Sequence, residues 1–185
     1  MTKNKNPEGK NPARLIVNTP FGKFGLEATP RGLCRVEFPS PKKFYKLTRR
    51  RPLPRQQKIL SQGRDLLLQY LQGKPVSFAS LAVDLKGLTS FERKVLHTLK
   101  KVEWGDSLSY SALAAKAGFP RAARAVGGVM RKNRLPIFLP CHRVLRSGGR
   151  LGGYSPGIEW KKRLLGLEGR PENGKTPLDK GVVCP

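Results

Sequence analysis

Cys141 stands between Pro140 and His142, at the end of the apolar run Ile137-Phe138-Leu139. A thiol in such a place admits two readings. Cysteine is among the most often buried residues, so Cys141 could serve packing alone. It could also be a nucleophile. A free thiol has a pKa near about 8.5, so its reactive thiolate is scarce at neutral pH unless a base and positive charge lie nearby. His142 and Arg143 are the candidates for both in this sequence. Metal ligation fits poorly, because Cys141 and His142 are adjacent and His97 is the only other imidazole. A cysteine protease would need a separate His with an Asn or Asp partner, and the chain has only two His.

The elements that would hold Cys141 can be read from spacing. Thr89-Ser90-Phe91-Glu92 has the form of a capping box, followed by Phe91, Val95, Leu99 and Val102 on one helical face. His97 lies off that stripe. Trp104-Gly105-Asp106 breaks the helix, and Ser109-Tyr110-Ser111 opens a second one, Ala112 to Ala117, stopped by Gly118. Pro120 opens a third, Arg121 to Arg131. Two short helices joined by a Gly-containing turn make a helix-turn-helix pattern, which many cores also contain. The small residues around Arg124 would let this third helix lie close to another surface. Upstream, Leu15-Ile16-Val17, Phe24-Gly25-Leu26 and Leu33-Cys34-Arg35-Val36 alternate with Pro/Gly turns and predict a strand meander. A basic stretch over 42–58 reads as a loop that turns helical at its end, and Ile59 to Leu71 reads as a helix. The fold class expected is α+β: a small N-terminal domain with an antiparallel sheet, and a mainly helical C-terminal domain with the helix-turn-helix. The expected boundaries are a flexible tail over 1–12, the N-terminal domain and linker over 13–85, the C-terminal domain over 86–170, and a flexible tail over 171–185.

Charge narrows the partner. The chain of 185 residues has 37 Lys and Arg against 12 Asp and Glu, a net +25. The excess is even: +12 over residues 1–85 (17 basic, 5 acidic) and +13 over 86–170 (18 and 5). A uniformly basic chain repels itself unless a polyanion screens it, which points to nucleic acid, with a merely solvated surface as the plain alternative. No run of eighteen apolar residues predicts a membrane span, and the polar first twelve residues lack the apolar core of a secretory signal, so an intracellular protein is expected. Cys34, Cys141 and Cys184 are far apart and form no disulfide or zinc pattern.

Pro140-Cys141-His142-Arg143-Val144 resembles the signature of the O6-alkylguanine-DNA alkyltransferases, also called methylated-DNA–protein-cysteine methyltransferases. Ser109-Tyr110, Ala122-Ala123-Arg124-Ala125-Val126-Gly127-Gly128, Met130-Arg131, Asn133, Tyr154-Ser155 and Glu168-Gly169 are similar to that family in order and spacing. The resemblance covers residues 89–169. It implies a single-turnover, suicidal transfer of an alkyl group from O6-alkylguanine in DNA, with O4-alkylthymine as a further substrate, onto Cys141. His142 would act as base through a water, and Glu168 would orient it. Tyr110 would donate a proton to the leaving guanine, and the backbone N–H of Ser155 would bond its O6. The carbonyls of Cys141 and Val144 would read its amine. The nucleotide would be flipped out, with Arg124 as the finger filling the gap. Ala122 and Ala123 would fit the minor groove, and Arg131 would add to the DNA contact. Asn133, by itself a helix C-cap, would tie the helix-turn-helix to the active-site segment. Met130, Pro136, Val144, Tyr154, Ser155, Pro156 and Lys161 would line the substrate pocket, with core packing the competing role for Met130 and Pro136 and a solvated charge for Lys161.

Pro156 departs from the family's usual Gly or Ala, stiffening the loop and removing an N–H. Some relatives hold zinc in the N-terminal domain. That region here has Cys34 and no His, so no metal is expected, nor any cofactor, since the alkylated DNA is itself the donor. The implied partner is double-stranded DNA carrying O6-alkylguanine, met by a monomer that can be cooperative on DNA, without a membrane. The place of action would be the cytoplasm, on the nucleoid, in a prokaryote and the nucleus in a eukaryote. Two rival readings are an alkyltransferase-like protein, in which another residue (often Trp) replaces the cysteine and against which Cys141 argues directly, and an architectural helix-turn-helix protein, in which Cys141 would serve packing only.

Overall fold

The computed structural model describes residues 12–40 and 51–170. The terminal tails and most of the basic 42–58 stretch lie outside the described residues. Two compact units emerge: residues up to 71 together with 80–86, and residues 72–79 together with 87 onward. The division is therefore not one cut in the chain. Segment 72–79 goes with the second unit, where the Phe78 ring meets Phe138 edge-on at 5.2 Å.

In the first unit, strands β1 (Ala13–Thr19), β2 (Gly22–Thr29) and β3 (Gly32–Glu37) form an antiparallel meander in that order. The register shifts between Glu27 and Ala28, so that Cys34 falls opposite no partner in the ladder, and its thiol bonds the Glu27 carbonyl at 3.3 Å. Helix α1 (Pro54–Leu71) covers this sheet with Ile59, Leu60, Leu67, Tyr70 and Leu71. It begins five residues before the expected Ile59, because proline is well suited to a first helical turn. Gln56 is drawn into the core, where its amide bonds the Ala28 carbonyl at 2.9 Å. Leu33 also pairs with Val83, a contact so close that a Cβ on Gly32 would lie 2.6 Å from the Val83 backbone.

In the second unit, helix α2 (Ser90–Lys100) starts with the expected capping box, Thr89 accepting from the Glu92 N–H and Glu92 from that of Thr89. Helix α3 (Tyr110–Lys116) is capped by Ser109 and ends before Gly118, at φ +87°. Helix α4 (Ala123–Lys132) starts two residues later than the expected Arg121, because the Ala122 N–H bonds Phe119 and holds 119–122 as a turn. A helical turn at Cys141–Arg143 leads into strand β5 (Val144–Leu145), which pairs in parallel with β4 (Leu108–Ser109). Helix α5 (Ile158–Leu167) closes the unit, with Glu168 as C-cap and Gly169 at φ +76°. Leu99, Leu113, Val126, Ile137, Phe138 and Leu164 are fully enclosed in the core of this unit.

Candidate active site

The short β4–β5 pairing carries much of the site's architecture. Tyr110 follows β4 directly and Cys141 sits just before β5, so two residue pairs bring together side chains 31 positions apart. Both line a pocket of about 390 Å³, together with Gly127, Met130, Arg131, Gly153, Tyr154 and Ser155. Among the expected pocket residues, Met130, Tyr154 and Ser155 stand in this lining. Pro136, Val144, Pro156 and Lys161 do not. Pro136 is buried in the segment before Cys141, in which Ile137 is held at φ +75°, a strained conformation for a β-branched residue.

Asn133 anchors that segment. Its side-chain amide donates to the Leu139 carbonyl at 2.9 Å and to the Cys141 sulfur at 3.1 Å, while its oxygen accepts from the Leu135 N–H at 3.0 Å. It is also the C-cap of α4, so the capping and tethering roles coincide.

Lys161 is wholly buried rather than a solvated charge. Its ammonium donates to the Val144 carbonyl at 2.7 Å, with a longer contact of 3.5 Å to Gly152. Burial pulls its pKa down to about 8 against the attraction of Cys141. The Cys141 thiol is pushed up to about 11 by burial, opposed by the Asn133 hydrogen bond and the Lys161 charge. The resting sulfur is therefore protonated, and a base must remove the proton during reaction.

A candidate base lies next in the chain. His142 Nε2 sits 2.8 Å from Glu168 Oε1, both side chains completely buried. Burial lowers the His142 pKa against the pull of Glu168, leaving a neutral ring. Arg143 was the second candidate for activating the thiol, and the structure reassigns it. Its guanidinium clamps Glu168 at 3.0 Å to each oxygen and bonds the Val102 carbonyl. Burial disfavours the Glu168 carboxylate, but the bonds from His142 and Arg143 together outweigh it and hold the pKa at about 2. The cation acting on Cys141 is Lys161, which sequence adjacency could not reveal.

Tyr110 keeps its proton, since burial and Cys141 raise its pKa against Arg146. A Cβ on Gly152 would lie 2.7 Å from the Tyr110 hydroxyl, so this glycine makes room for the phenol. Gly152 was not singled out from the sequence, although the Gly152-Gly153 doublet is a signal that could have marked such a close approach. On α4, Arg124 and Arg131 are exposed and Ala123 partly so, as is Ala122, its N-cap. Ser155 is fixed by its hydroxyl on the Arg131 carbonyl at 2.7 Å.

A family model described as the DNA-binding domain of 6-O-methylguanine DNA methyltransferase matches residues 90–170. The methylated-DNA–protein-cysteine methyltransferase of Methanothermobacter thermautotrophicus is 40% identical over 105 residues, 57% of this chain and 58% of that protein. That of Cricetulus griseus is 37% identical over 184 residues, covering 91% of this chain and 87% of its own length. The match spans about half the length of some relatives, 44% for the Rattus norvegicus protein. The crystal structure of Mycobacterium tuberculosis OGT in complex with DNA superposes with a TM-score of 0.69 at 31% identity, over 86% of this chain and 96% of that one. With this likeness running through both units, the chain belongs to the methylated-DNA–protein-cysteine methyltransferase family.

Proposed function

We propose that this protein repairs DNA by direct reversal, moving the alkyl group of O6-alkylguanine in duplex DNA onto Cys141, once per molecule. The observation that carries this reading is Cys141 lining a pocket of about 390 Å³ that α4 also lines, followed in the chain by His142, which is paired with Glu168. The bond that forms is between sulfur and the alkyl carbon; the bond that breaks joins that carbon to guanine O6. The thiol proton passes through a water to His142, whose cationic form Glu168 then stabilises. Tyr110 gives the leaving guanine a proton at N3 and is reprotonated afterwards. The Ser155 N–H supports O6, and the carbonyls of Cys141 and Val144 accept from the guanine amine. Lys161 holds the Val144 carbonyl in place for that task. The thioether product is stable to water, so no turnover follows.

The target atom is reached by flipping the nucleotide. Arg124, exposed on α4, fills the gap in the stack, while Ala122 and Ala123 allow the helix to approach the minor groove and Arg131 meets the backbone. The scope extends to O4-alkylthymine. Among the described residues no helix is long and apolar enough to cross a membrane. The protein acts as a monomer on the nucleoid of a prokaryote or in the nucleus of a eukaryote.

The test uses a duplex with one O6-methylguanine bearing a labelled methyl group. One label per protein on the peptide containing Cys141, absent from Cys141→Ser, is the expected result. Tight binding without label on either protein would leave a lesion-binding or architectural protein instead.

A further inference from the structure

A second, more open groove adjoins the reactive pocket, with Tyr110, Gly127 and Gly153 lining both. Two arginines from separate elements also line it: Arg124 on α4, and Arg146 just beyond β5. Arg124 already has a task in the proposed reaction. Arg146 has none.

Arg146 is presented by a tightly built loop. Its N–H donates to the Arg150 carbonyl at 2.8 Å, and its carbonyl accepts from the Gly149 N–H at 3.1 Å. Gly148 and Gly149 both stand at φ +72°, a conformation that keeps the turn narrow and that other residues seldom adopt. The backbone is thus pinned while the Arg146 side chain is exposed. Its surroundings hold no counter-charge in sequence: residues 107–158 contain nine Lys and Arg and no Asp or Glu. Its charge also reaches the pocket, opposing the rise that burial and Cys141 give the Tyr110 pKa and adding to the fall that burial gives that of Lys161.

We propose that Arg146 is a second anchor for DNA, gripping a backbone phosphate of the strand whose nucleotide enters the pocket, from an element outside the helix-turn-helix. The guanidinium fork suits a phosphate oxygen pair, and an exposed cation at a groove leading to a base-sized pocket meets the phosphodiester that must follow the base. Helix α4 would hold the duplex, and Arg146 the displaced strand. It is a positioning residue, since it touches no reacting atom. This assignment rests on the repair reading and deepens it.

The experiment compares wild type, Arg146→Ala, Arg146→Lys and Arg163→Ala. The last removes an equal charge from α5, where Arg163 is exposed over the Trp160 ring. Alkylation of Cys141 is followed by peptide mass with two probes, an O6-methylguanine duplex at increasing salt and the free base O6-benzylguanine. Arg146→Ala is expected to bind the duplex roughly tenfold more weakly and to lower the slope of log affinity against log salt by about one. Its ratio of duplex to free-base reactivity should fall by a similar factor. Arg146→Lys should keep the wild-type slope, and Arg163→Ala should change affinity less than Arg146→Ala. Equal losses with duplex and free base would show a structural role for the loop and overturn the assignment. An unchanged salt slope in Arg146→Ala, with wild type active, would overturn it while leaving the repair reading intact. A wild type that transfers nothing from the duplex would overturn both.

Discussion

At the scale of single residues, the site depends on buried charges that satisfy one another. Glu168 holds His142 with one oxygen and Arg143 with both, in a region closed to water. Removing one partner of such a group leaves the other charge buried without compensation, which typically costs about 3 kcal/mol or more. Glu168→Gln should therefore lower unfolding stability by about 3 kcal/mol, read from urea denaturation at pH 7. The pH dependence has a definite sign. The folded pKa of Glu168, about 2, lies below its ordinary 4.5, so its stabilisation is complete above pH 4.5 and is lost as pH falls through 2. Urea midpoints of wild type should decline over that window, and those of Glu168→Gln should decline less. Gly152→Ala tests the pocket wall. Its new methyl would meet the Tyr110 hydroxyl at 2.7 Å, and the half-buried phenol can swing aside without unfolding the domain. The transfer rate at saturating DNA should drop by about tenfold to a hundredfold, as expected for a misplaced reacting group, with duplex affinity little changed.

At the scale of elements, local chemistry was legible wherever it stays local. Thr89 and Glu92 form the capping box that their spacing announces, and Ser109 caps α3 as a hydroxyl before a helical run does. Thr89→Ala should cost about 1 kcal/mol, measured by thermal or urea unfolding. The three-stranded meander was equally plain from its turns. Helix starts were less so: α1 recruits Pro54 and buries Gln56, while α4 gives up Arg121 to a turn closed by Phe119. The pairing of β4 with β5 left no readable signal. Two residues on each side carry no periodicity, and only the packed unit selects their partners.

For the whole molecule, charge is the dominant property. With net +25, the proposed association with duplex DNA would release condensed counterions at each neutralised phosphate. Affinity for an unmodified duplex should fall by at least about a hundredfold between 50 and 200 mM salt, the response expected for four or more phosphate contacts. A shift in electrophoretic mobility or fluorescence anisotropy would measure it, and a flat salt response would exclude the backbone as the main contact. The distribution matters as much as the total. The carboxylate-free span over 107–158 includes α3, α4, Cys141 and the Arg146 loop, so no acidic side chain within that span offsets its nine cations. The acidic Glu168 lies beyond that span, and the Arg143 guanidinium neutralises it within the core, with His142 hydrogen-bonded to it.

The sequence alone determined the α+β class, the helix-turn-helix, and the family, because each rests on residue types at fixed spacing along the chain. It marked Cys141, His142, Glu168, Tyr110 and Asn133 as a group through resemblance. The tertiary structure decided which charges act on which atoms. Adjacency suggested Arg143 as the cation beside the thiol, but packing turned it to Glu168 and placed Lys161, twenty residues further on, in electrostatic reach of Cys141. It also decided that the thiol rests protonated, since burial outweighs the Asn133 bond and the Lys161 charge. Electrostatic effects depend on distance and desolvation through space, and neither is encoded by position along the chain until the fold has formed.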